Sequence, residues 1–303
     1  MSVIESALER MRRGRAPGAL SAVAVPRPVV GTVTAPKAPA VALPSARNYV
    51  HKRIAIDPQG LRNAGYLPDA GLERRFADHY RQIKRSLIDK AFSGSADMRL
   101  ILVSSALPGD GKTFTCINLA LSMARERDTS VLLVDADAPK ARISEVFGMR
   151  GERGLLDALL DESLDVESLI VQTNVRGLEI LPAGKFVESA HELLASARMD
   201  QIAAYLGARN ARGLVLFDAT PLLVSSEARA LLRVPGQIAL VARVGVTPRQ
   251  AALEAAAYVH KGKLQGVILN DATYTKAGGY YGYSSYGESG FERPYADEHQ
   301  STQ

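Results

Sequence analysis

The run from Ser104 to Thr113, SSALPGDGKT, holds the residues with the clearest chemistry, and an amphipathic pattern follows it from Phe114. Together with the apolar stretch before it, this order predicts a strand, a phosphate-binding loop and a helix whose N-terminus faces the phosphates of ATP or GTP. Lys112 would reach the β and γ phosphates, and the Thr113 hydroxyl would bind Mg2+. The predicted nucleotide-binding residues of the loop are Gly109, Asp110, Gly111, Lys112, Thr113 and Phe114.

Three carboxylates end apolar runs further along the chain. Asp135 and Asp137 follow the run that starts at Val131, and Asp218 ends the run that starts at Leu214. Ligands of parallel sheets bind at the carboxyl ends of the strands, so these side chains are expected beside the phosphate loop. An acidic strand end can be only a solvated edge, but three of them in one such domain favour a site for Mg2+, which prefers oxygen ligands. The predicted metal-binding set is Thr113, Asp135, Asp137 and Asp218.

Short apolar runs alternate with longer amphipathic segments from residue 99 onward. This alternation predicts an α/β fold of the P-loop NTPase type, a doubly wound, mostly parallel sheet with helices on both faces. An earlier helix is expected from Leu72, where apolar residues recur at helical spacing as far as Phe92. The predicted strands cover 100–104, 131–135, 178–181, 213–217, 237–242 and 265–269, and the later helices cover 113–127, 189–206 and 248–261.

Charge is distributed unevenly along the 303 residues. Residues 1–91 carry 16 Lys and Arg against 7 Asp and Glu, so this part favours an acidic partner or is simply a solvated surface. Cys116 is the only cysteine, which excludes an intrachain disulfide and fits a reducing compartment. No run reaches the roughly 18 apolar residues that span a bilayer. We therefore expect a cytoplasmic protein that reaches a membrane only through a surface or a partner.

Composition also divides the chain into three parts. Residues 1–48 are rich in Ala, Pro and Arg and predict a flexible basic arm, and residues 49–271 form the predicted P-loop domain. Residues 272–303 predict a mobile tail, with a low-complexity segment or a strand edge as alternatives. Six of the chain's 11 tyrosines lie in that tail: Tyr274, Tyr280, Tyr281, Tyr283, Tyr286 and Tyr295.

The phosphate loop, the run ending in Asp135 and Asp137, the sequence DATPLL from Asp218 and the terminal tyrosines together resemble the bacterial tyrosine kinases of exopolysaccharide systems. The resemblance covers about residues 72–290 and is strongest to the soluble branch that includes the exosortase-associated autokinases. It implies an ATP- and Mg2+-dependent protein-tyrosine autokinase that regulates exopolysaccharide polymerisation or export. It also implies that the catalytic residues are Lys112, Asp135, Asp137 and Asp218, with Asp137 as the base, and that the tail tyrosines are phosphorylated in trans.

The same resemblance implies several partners. Members of the family associate through a motif that would correspond here to Asp78, Arg81 and Lys84, on the helix that follows Leu72. A transmembrane co-polymerase would act as adaptor and hold the kinase at the inner membrane, and a tyrosine phosphatase would reverse the reaction, whereas nucleic acid is not expected as a partner. Asn270 matches a position that approaches the adenine in related ATPases, although it could equally cap a strand end.

Two other functions fit the phosphate loop. Regulatory ATPases of the partitioning or cell-division type share the fold and the strand-end aspartate, but they place an extra lysine in the loop where this chain has Leu107. A nucleotide-dependent interaction switch that transfers no phosphate to protein is the third possibility. Transfer of the γ-phosphate to tyrosine separates the kinase from both alternatives.

Overall fold

The computed structural model describes residues 49–272. The predicted arm over residues 1–48 and the tyrosines from Tyr274 to Tyr295 lie outside the described residues. The strands are β1 (Arg53–Ile54), β2 (Leu100–Ser105), β3 (Ser130–Ala136), β4 (Val171–Thr173), β5 (Leu178–Leu181), β6 (Gly213–Ala219), β7 (Gln237–Arg243) and β8 (Leu264–Asn270). The α-helices are α1 (Pro58–Asn63), α2 (Glu73–Ser93), α3 (Lys112–Met123), α4 (Arg142–Val146), α5 (Leu155–Leu160), α6 (Ala190–Leu194), α7 (Ala197–Ala208), α8 (Ser226–Leu231) and α9 (Arg249–Tyr258).

The strands form one sheet in the order β1-β4-β5-β3-β6-β2-β7-β8. β4 runs antiparallel to β5, and the other neighbouring strands pair in parallel. β6 lies between β3 and β2, so that Asp218 is opposite Asp135 on one side and opposite Val103 on the other. The end of β2, where the phosphate loop begins, therefore lies beside the acidic ends of β3 and β6.

Side chains of the central strands alternate between two apolar layers, because successive residues of a strand point to opposite faces of the sheet. Ile101 and Val103 pack with α2 and α3 on one face, whereas Leu100 and Leu102 pack with α7 and α8 on the other. β3 and β6 alternate in the same way, with Leu133 and Phe217 on opposite faces. This arrangement confirms the predicted parallel sheet with helices on both faces.

Several predicted elements differ in extent from the observed ones. The segment 189–206 is not one helix: α6 and α7 are separate, and the Ser196 hydroxyl caps α7 by accepting a hydrogen bond from the Met199 N–H at 3.3 Å. The helix predicted over 113–127 ends at Met123. The strands β1 and β4 were not predicted, because two or three residues are too few to show a periodic pattern.

Among residues 49–272, no helix has the length and apolar character that crossing a bilayer requires.

Candidate active site

The phosphate loop runs from the end of β2 to the first turn of α3. Gly109 and Gly111 both adopt φ of 90°, a conformation that favours glycine. At Gly111 a side chain is excluded by contact as well, since a Cβ there would lie 2.0 Å from the Asn270 Nδ2. The Asn270 amide donates a hydrogen bond to the Asp110 carbonyl oxygen at 3.1 Å. Asn270, at the end of β8, thus lies against the loop, and its contact with adenine stays a prediction.

Asp110 is nearly fully buried, and its carboxylate stabilises the loop by accepting two hydrogen bonds. One oxygen accepts the Leu107 N–H at 2.9 Å, and the other accepts the Thr247 hydroxyl at 2.6 Å. Thr247 in turn accepts the Arg243 N–H, which joins the loop to the end of β7. Asp110 can therefore offer a nucleotide its backbone N–H, while its side chain maintains the loop. Thr247 lies far from the loop in sequence, and no motif indicated it.

Lys112 lies among the predicted carboxylates. Its Nζ donates to Asp137 Oδ2 at 2.6 Å and lies 3.7 Å from Asp218 Oδ1. The Thr113 hydroxyl donates to Asp218 Oδ2 at 2.8 Å. Asp137 and Asp218 are fully buried, so their charges depend on the lysine for compensation. The structure thus brings together Lys112, Thr113, Asp137 and Asp218, which are four of the residues predicted to hold the phosphates and the metal, at the ends of three different strands.

Asp135, also fully buried, is held differently from the other two carboxylates. Its Oδ2 accepts hydrogen bonds from both the N–H and the hydroxyl of Ser144, each at 2.7 Å, and its Oδ1 accepts the Asp137 N–H at 3.3 Å. No sequence pattern had indicated Ser144. Although Asp135 belongs to the cluster, both of its oxygens accept hydrogen bonds from the protein, whereas Asp218 Oδ1 accepts none among the described residues.

Burial and the neighbouring charges shift the pKa values of several groups in the cluster. Burial raises the pKa of Asp135 to about 7, because the hydrogen bonds from Ser144 only partly oppose desolvation and the charge of Asp218 adds to it. Burial also raises the pKa of Asp218, against the opposing charge of Lys112. For Lys112, burial alone would lower the pKa, but Asp218 and Asp137 outweigh it, so the pKa lies above its usual value. Perturbed groups of this kind are frequent at functional sites.

The donor set fits a magnesium ion that is held jointly with phosphate. Asp218 Oδ1 is buried and accepts no hydrogen bond within the described part of the chain, so it retains lone pairs for a further cation or for water. Across residues 49–272, no three His, Cys, Asp or Glu side chains converge into a metal site of their own. Mg2+ commonly uses one or two carboxylates together with water and phosphate oxygens, and Thr113, Asp137 and Asp218 match that pattern.

The helix α2 packs directly against the phosphate-loop helix α3. The Phe114 ring lies edge-on to Phe76 with ring centroids 6.1 Å apart, so the Phe114 side chain faces α2 and only its backbone N–H remains for a nucleotide. Lys84 is buried and donates to the Ser122 carbonyl at 2.8 Å, and it also pairs with Glu126 at 2.7 Å. The Lys84 ammonium is thus used within the subunit, and its part in a self-association motif stays a prediction. Asp78 and Arg81 pair with each other on the exposed face.

A cavity of about 980 Å3 lies at the opposite end of the sheet, near the first residues of β3 and β5. Its half-buried Arg209 forms ion pairs with both Glu167 and Glu179. None of the phosphate-loop residues or the three strand-end aspartates lines it. The candidate active site is thus the buried polar cluster at the carboxyl end of the sheet.

Comparison with known proteins supports the same assignment. Residues 98–243 match the family described as AAA domain. The chain is 32% identical over 210 residues to the tyrosine-protein kinase YwqD of Bacillus subtilis (strain 168), a match that covers 68% of this chain and 86% of YwqD. It is 31% identical over 211 residues to the succinoglycan biosynthesis transport protein ExoP of Rhizobium meliloti (strain 1021), covering 68% of this chain but only 26% of ExoP. The solved tyrosine kinase domain of BceF is 26% identical, with a TM-score of 0.56 and coverage of 70% of this chain and 97% of that domain.

Proposed function

The chain belongs to the bacterial tyrosine-protein kinase family, and on this basis we propose that it transfers the γ-phosphate of ATP to the tyrosines of its own C-terminal cluster, in trans. The observation that carries the proposal is the convergence of Lys112, Thr113, Asp137 and Asp218 at the end of the sheet. A partitioning-type ATPase would also hold a nucleotide there, but it would leave tyrosine unlabelled.

The reaction forms a bond between the phenol oxygen and the γ-phosphorus, and it breaks the bond from that phosphorus to the bridging oxygen of ADP. A tyrosine hydroxyl has a pKa near 10, so its proton needs a well-placed acceptor at neutral pH. Asp137 is that acceptor in our proposal. Its carboxylate accepts a hydrogen bond from the Lys112 ammonium at 2.6 Å. An ammonium that contacts the β and γ phosphates would leave this carboxylate free to take the proton.

Thr113, Asp137 and Asp218 are the residues that would hold Mg2+, which would neutralise charge on the transferred phosphate. The backbone N–H groups of the loop and the N-terminus of α3 orient the phosphates. Asp110 contributes by holding the loop through Leu107 and Thr247. The nucleotide is thus bound by the backbone and by Lys112, and the acidic cluster acts on the transferred group and the incoming hydroxyl.

Transfer between subunits has a direct test. The mixture contains a Lys112→Arg chain, which keeps the tail and the charge at the site, and an active chain that lacks residues 272–303. With γ-labelled ATP, we expect label on the tyrosines of the Lys112→Arg chain. Extended residues span about 3.3–3.6 Å each, so about ten residues beyond Asn270 reach roughly 30 Å, far enough for a neighbour's site. Phosphopeptide mapping identifies the tyrosines that are used.

Three controls accompany the mixture. The Lys112→Arg chain alone should remain unlabelled, and the truncated chain alone should hydrolyse ATP without acquiring phosphotyrosine. Absence of label from the inactive chain in the mixture, while full-length protein labels itself, would reject transfer in trans. A full-length protein that never acquires phosphotyrosine would reject the kinase proposal itself and favour the regulatory ATPase or the interaction switch.

We further propose that subunits associate through the exposed face of α2, with Arg81 and Arg85 in place of the buried Lys84. The double variant Arg81→Glu/Arg85→Glu should lower the mass measured by light scattering, because charge reversal opposes an acidic partner surface. Arg150→Glu, whose side chain is 70% exposed in a turn outside α2, is the control for charge reversal elsewhere on the surface. Equal masses for the two variants and the wild type would exclude this face as the interface.

The biological setting that we propose is control of exopolysaccharide polymerisation or export. Support comes from the family and from ExoP, whose name refers to succinoglycan biosynthesis and transport. Since the chain matches only 26% of ExoP, the remaining length of that relative has no counterpart in the match. A transmembrane adaptor that binds this chain at the cytoplasmic face of the inner membrane is part of the proposal, and so is a tyrosine phosphatase that restores the tail.

A further inference from the structure

Ser144 joins three structural elements through one buried residue. It lies in α4 and is only 2% exposed. Its N–H and its hydroxyl both donate to Asp135 at the end of β3, at 2.7 Å each. The same hydroxyl oxygen accepts the N–H of Ala183, which follows β5, at 3.0 Å. A buried hydroxyl that both donates and accepts leaves no polar group of this contact unsatisfied.

The hydrogen bonds from Ser144 determine how the Asp135 carboxylate is oriented. Its Oδ2 accepts both of these hydrogen bonds, and its Oδ1 accepts a hydrogen bond from the Asp137 N–H at 3.3 Å. Asp135 thus contacts the backbone of the residue that carries the proposed base. The chain then turns back on itself, since the Ala141 N–H bonds to the Asp137 carbonyl at 2.7 Å.

This turn is under strain that other contacts must offset. Ala141 adopts φ of 45°, a left-handed conformation that is unfavourable for a non-glycine residue. Such conformations persist where the surrounding structure holds them in place. Ser144 follows Ala141 by three residues and anchors the far side of the turn to Asp135. The Asp137 carboxylate therefore projects from a segment that is fixed at both ends.

We propose that Ser144 is a positioning residue for the phosphotransfer, an inference that rests on the proposed kinase function. It acts through Asp135, which it holds against the Asp137 backbone, so that the Asp137 carboxylate stays aimed at the Lys112 ammonium. Asp135 then supports the base and does not itself bind the metal. The nucleotide-binding loop makes no part of this connection, so its affinity for ATP is independent of Ser144.

The test compares steady-state kinetics of Ser144→Ala, Asp135→Asn and the double variant with the wild type. Partners that orient a reacting group typically contribute about 10- to 100-fold in activity, so we expect Ser144→Ala to lower kcat by that order. The KM for ATP should change less than about twofold, because the loop and Lys112 are untouched. The double variant should lose little more than Asp135→Asn alone, since both substitutions break the same connection.

Ser104→Ala is the matched control for loss of a buried hydroxyl. Ser104 is fully buried, and its hydroxyl donates to the Thr220 carbonyl at 2.7 Å without touching Asp135 or Asp137. It should lower the thermal midpoint about as much as Ser144→Ala while kcat stays near the wild-type value. The comparison separates a loss of positioning from a general loss of stability.

Each outcome decides one question. If the wild type labels tyrosine but Ser144→Ala and Ser104→Ala have the same kcat, the positioning role is overturned and the kinase function stands. The positioning role is also overturned if Ser144→Ala raises the KM for ATP as much as it lowers kcat. It is overturned as well if the kcat loss of the double variant equals the product of the losses of the two single variants. If the wild type labels no tyrosine, the proposed function fails, and the positioning role fails with it because there is no transfer to position.

Discussion

Replacing Lys112 with methionine is expected to lower the rate of tyrosine phosphorylation by at least about 10²- to 10³-fold, the usual effect of removing one charge-stabilising group from a transition state. Lys112 is the cation of the loop, and its Nζ lies 2.6 Å from Asp137 and 3.7 Å from Asp218. Without it, neither the phosphates nor the two buried carboxylates have their counter-charge. The measurement is incorporation of labelled γ-phosphate at saturating ATP.

The same substitution is also expected to destabilise the chain. Removing one partner of a buried ion pair typically costs about 3–5 kcal/mol, because the remaining charge is left without compensation. Lys112→Arg is therefore the necessary companion, since it keeps the charge while changing the length and shape of the head group. It should fold with a thermal midpoint near that of the wild type and still transfer phosphate poorly. Full activity in the arginine variant would mean that the lysine acts only as a structural charge.

Replacing Asp137 with asparagine is expected to lower kcat by at least about 10²-fold, the lower end of the effect of removing a general base. The amide keeps the size of the side chain but cannot accept the phenol proton. Because the phosphates are bound by the loop and Lys112, the KM for ATP should stay near its wild-type value. Rapid-quench measurement of the first turnover shows whether the loss lies in the chemical step.

Asp128→Asn serves as the control for loss of one negative charge, since the Asp128 side chain is 76% exposed and pairs with Arg212 on the surface. It should leave kcat unchanged. If Asp137→Asn transfers phosphate as fast as this control, the base must be sought elsewhere, and Asp218 is the next candidate because its Oδ1 accepts no hydrogen bond among the described residues. A large increase in KM for ATP would instead assign Asp137 to nucleotide binding.

Local sequence patterns were sufficient for six of the eight strands in the described sheet and for the types of residue at their carboxyl ends. Glycines, a lysine and a threonine at fixed spacing predict a phosphate loop whatever surrounds them, since the backbone of that loop is determined by the residues in it. Apolar runs that end in aspartate predict the strands β3 and β6 and the location of their carboxylates. The short strands β1 and β4 and the break at Ser196 were beyond these patterns, because short elements are specified by their contacts and capping bonds.

The sequence by itself determined that a nucleotide-binding loop and three strand-end carboxylates exist in this chain, because each depends on neighbours in sequence. Only the tertiary structure decided how they combine. Lys112 meets Asp137 across 25 residues, Thr113 meets Asp218 across 105, and Asp110 meets Thr247 across 137. Such pairs follow from the strand order, in which β6 lies between β3 and β2 although it comes much later in the chain. Packing between distant elements also buries Lys84 and brings Ser144 into contact with Asp135. Polar groups that lose contact with water in this way must form hydrogen bonds or ion pairs with one another.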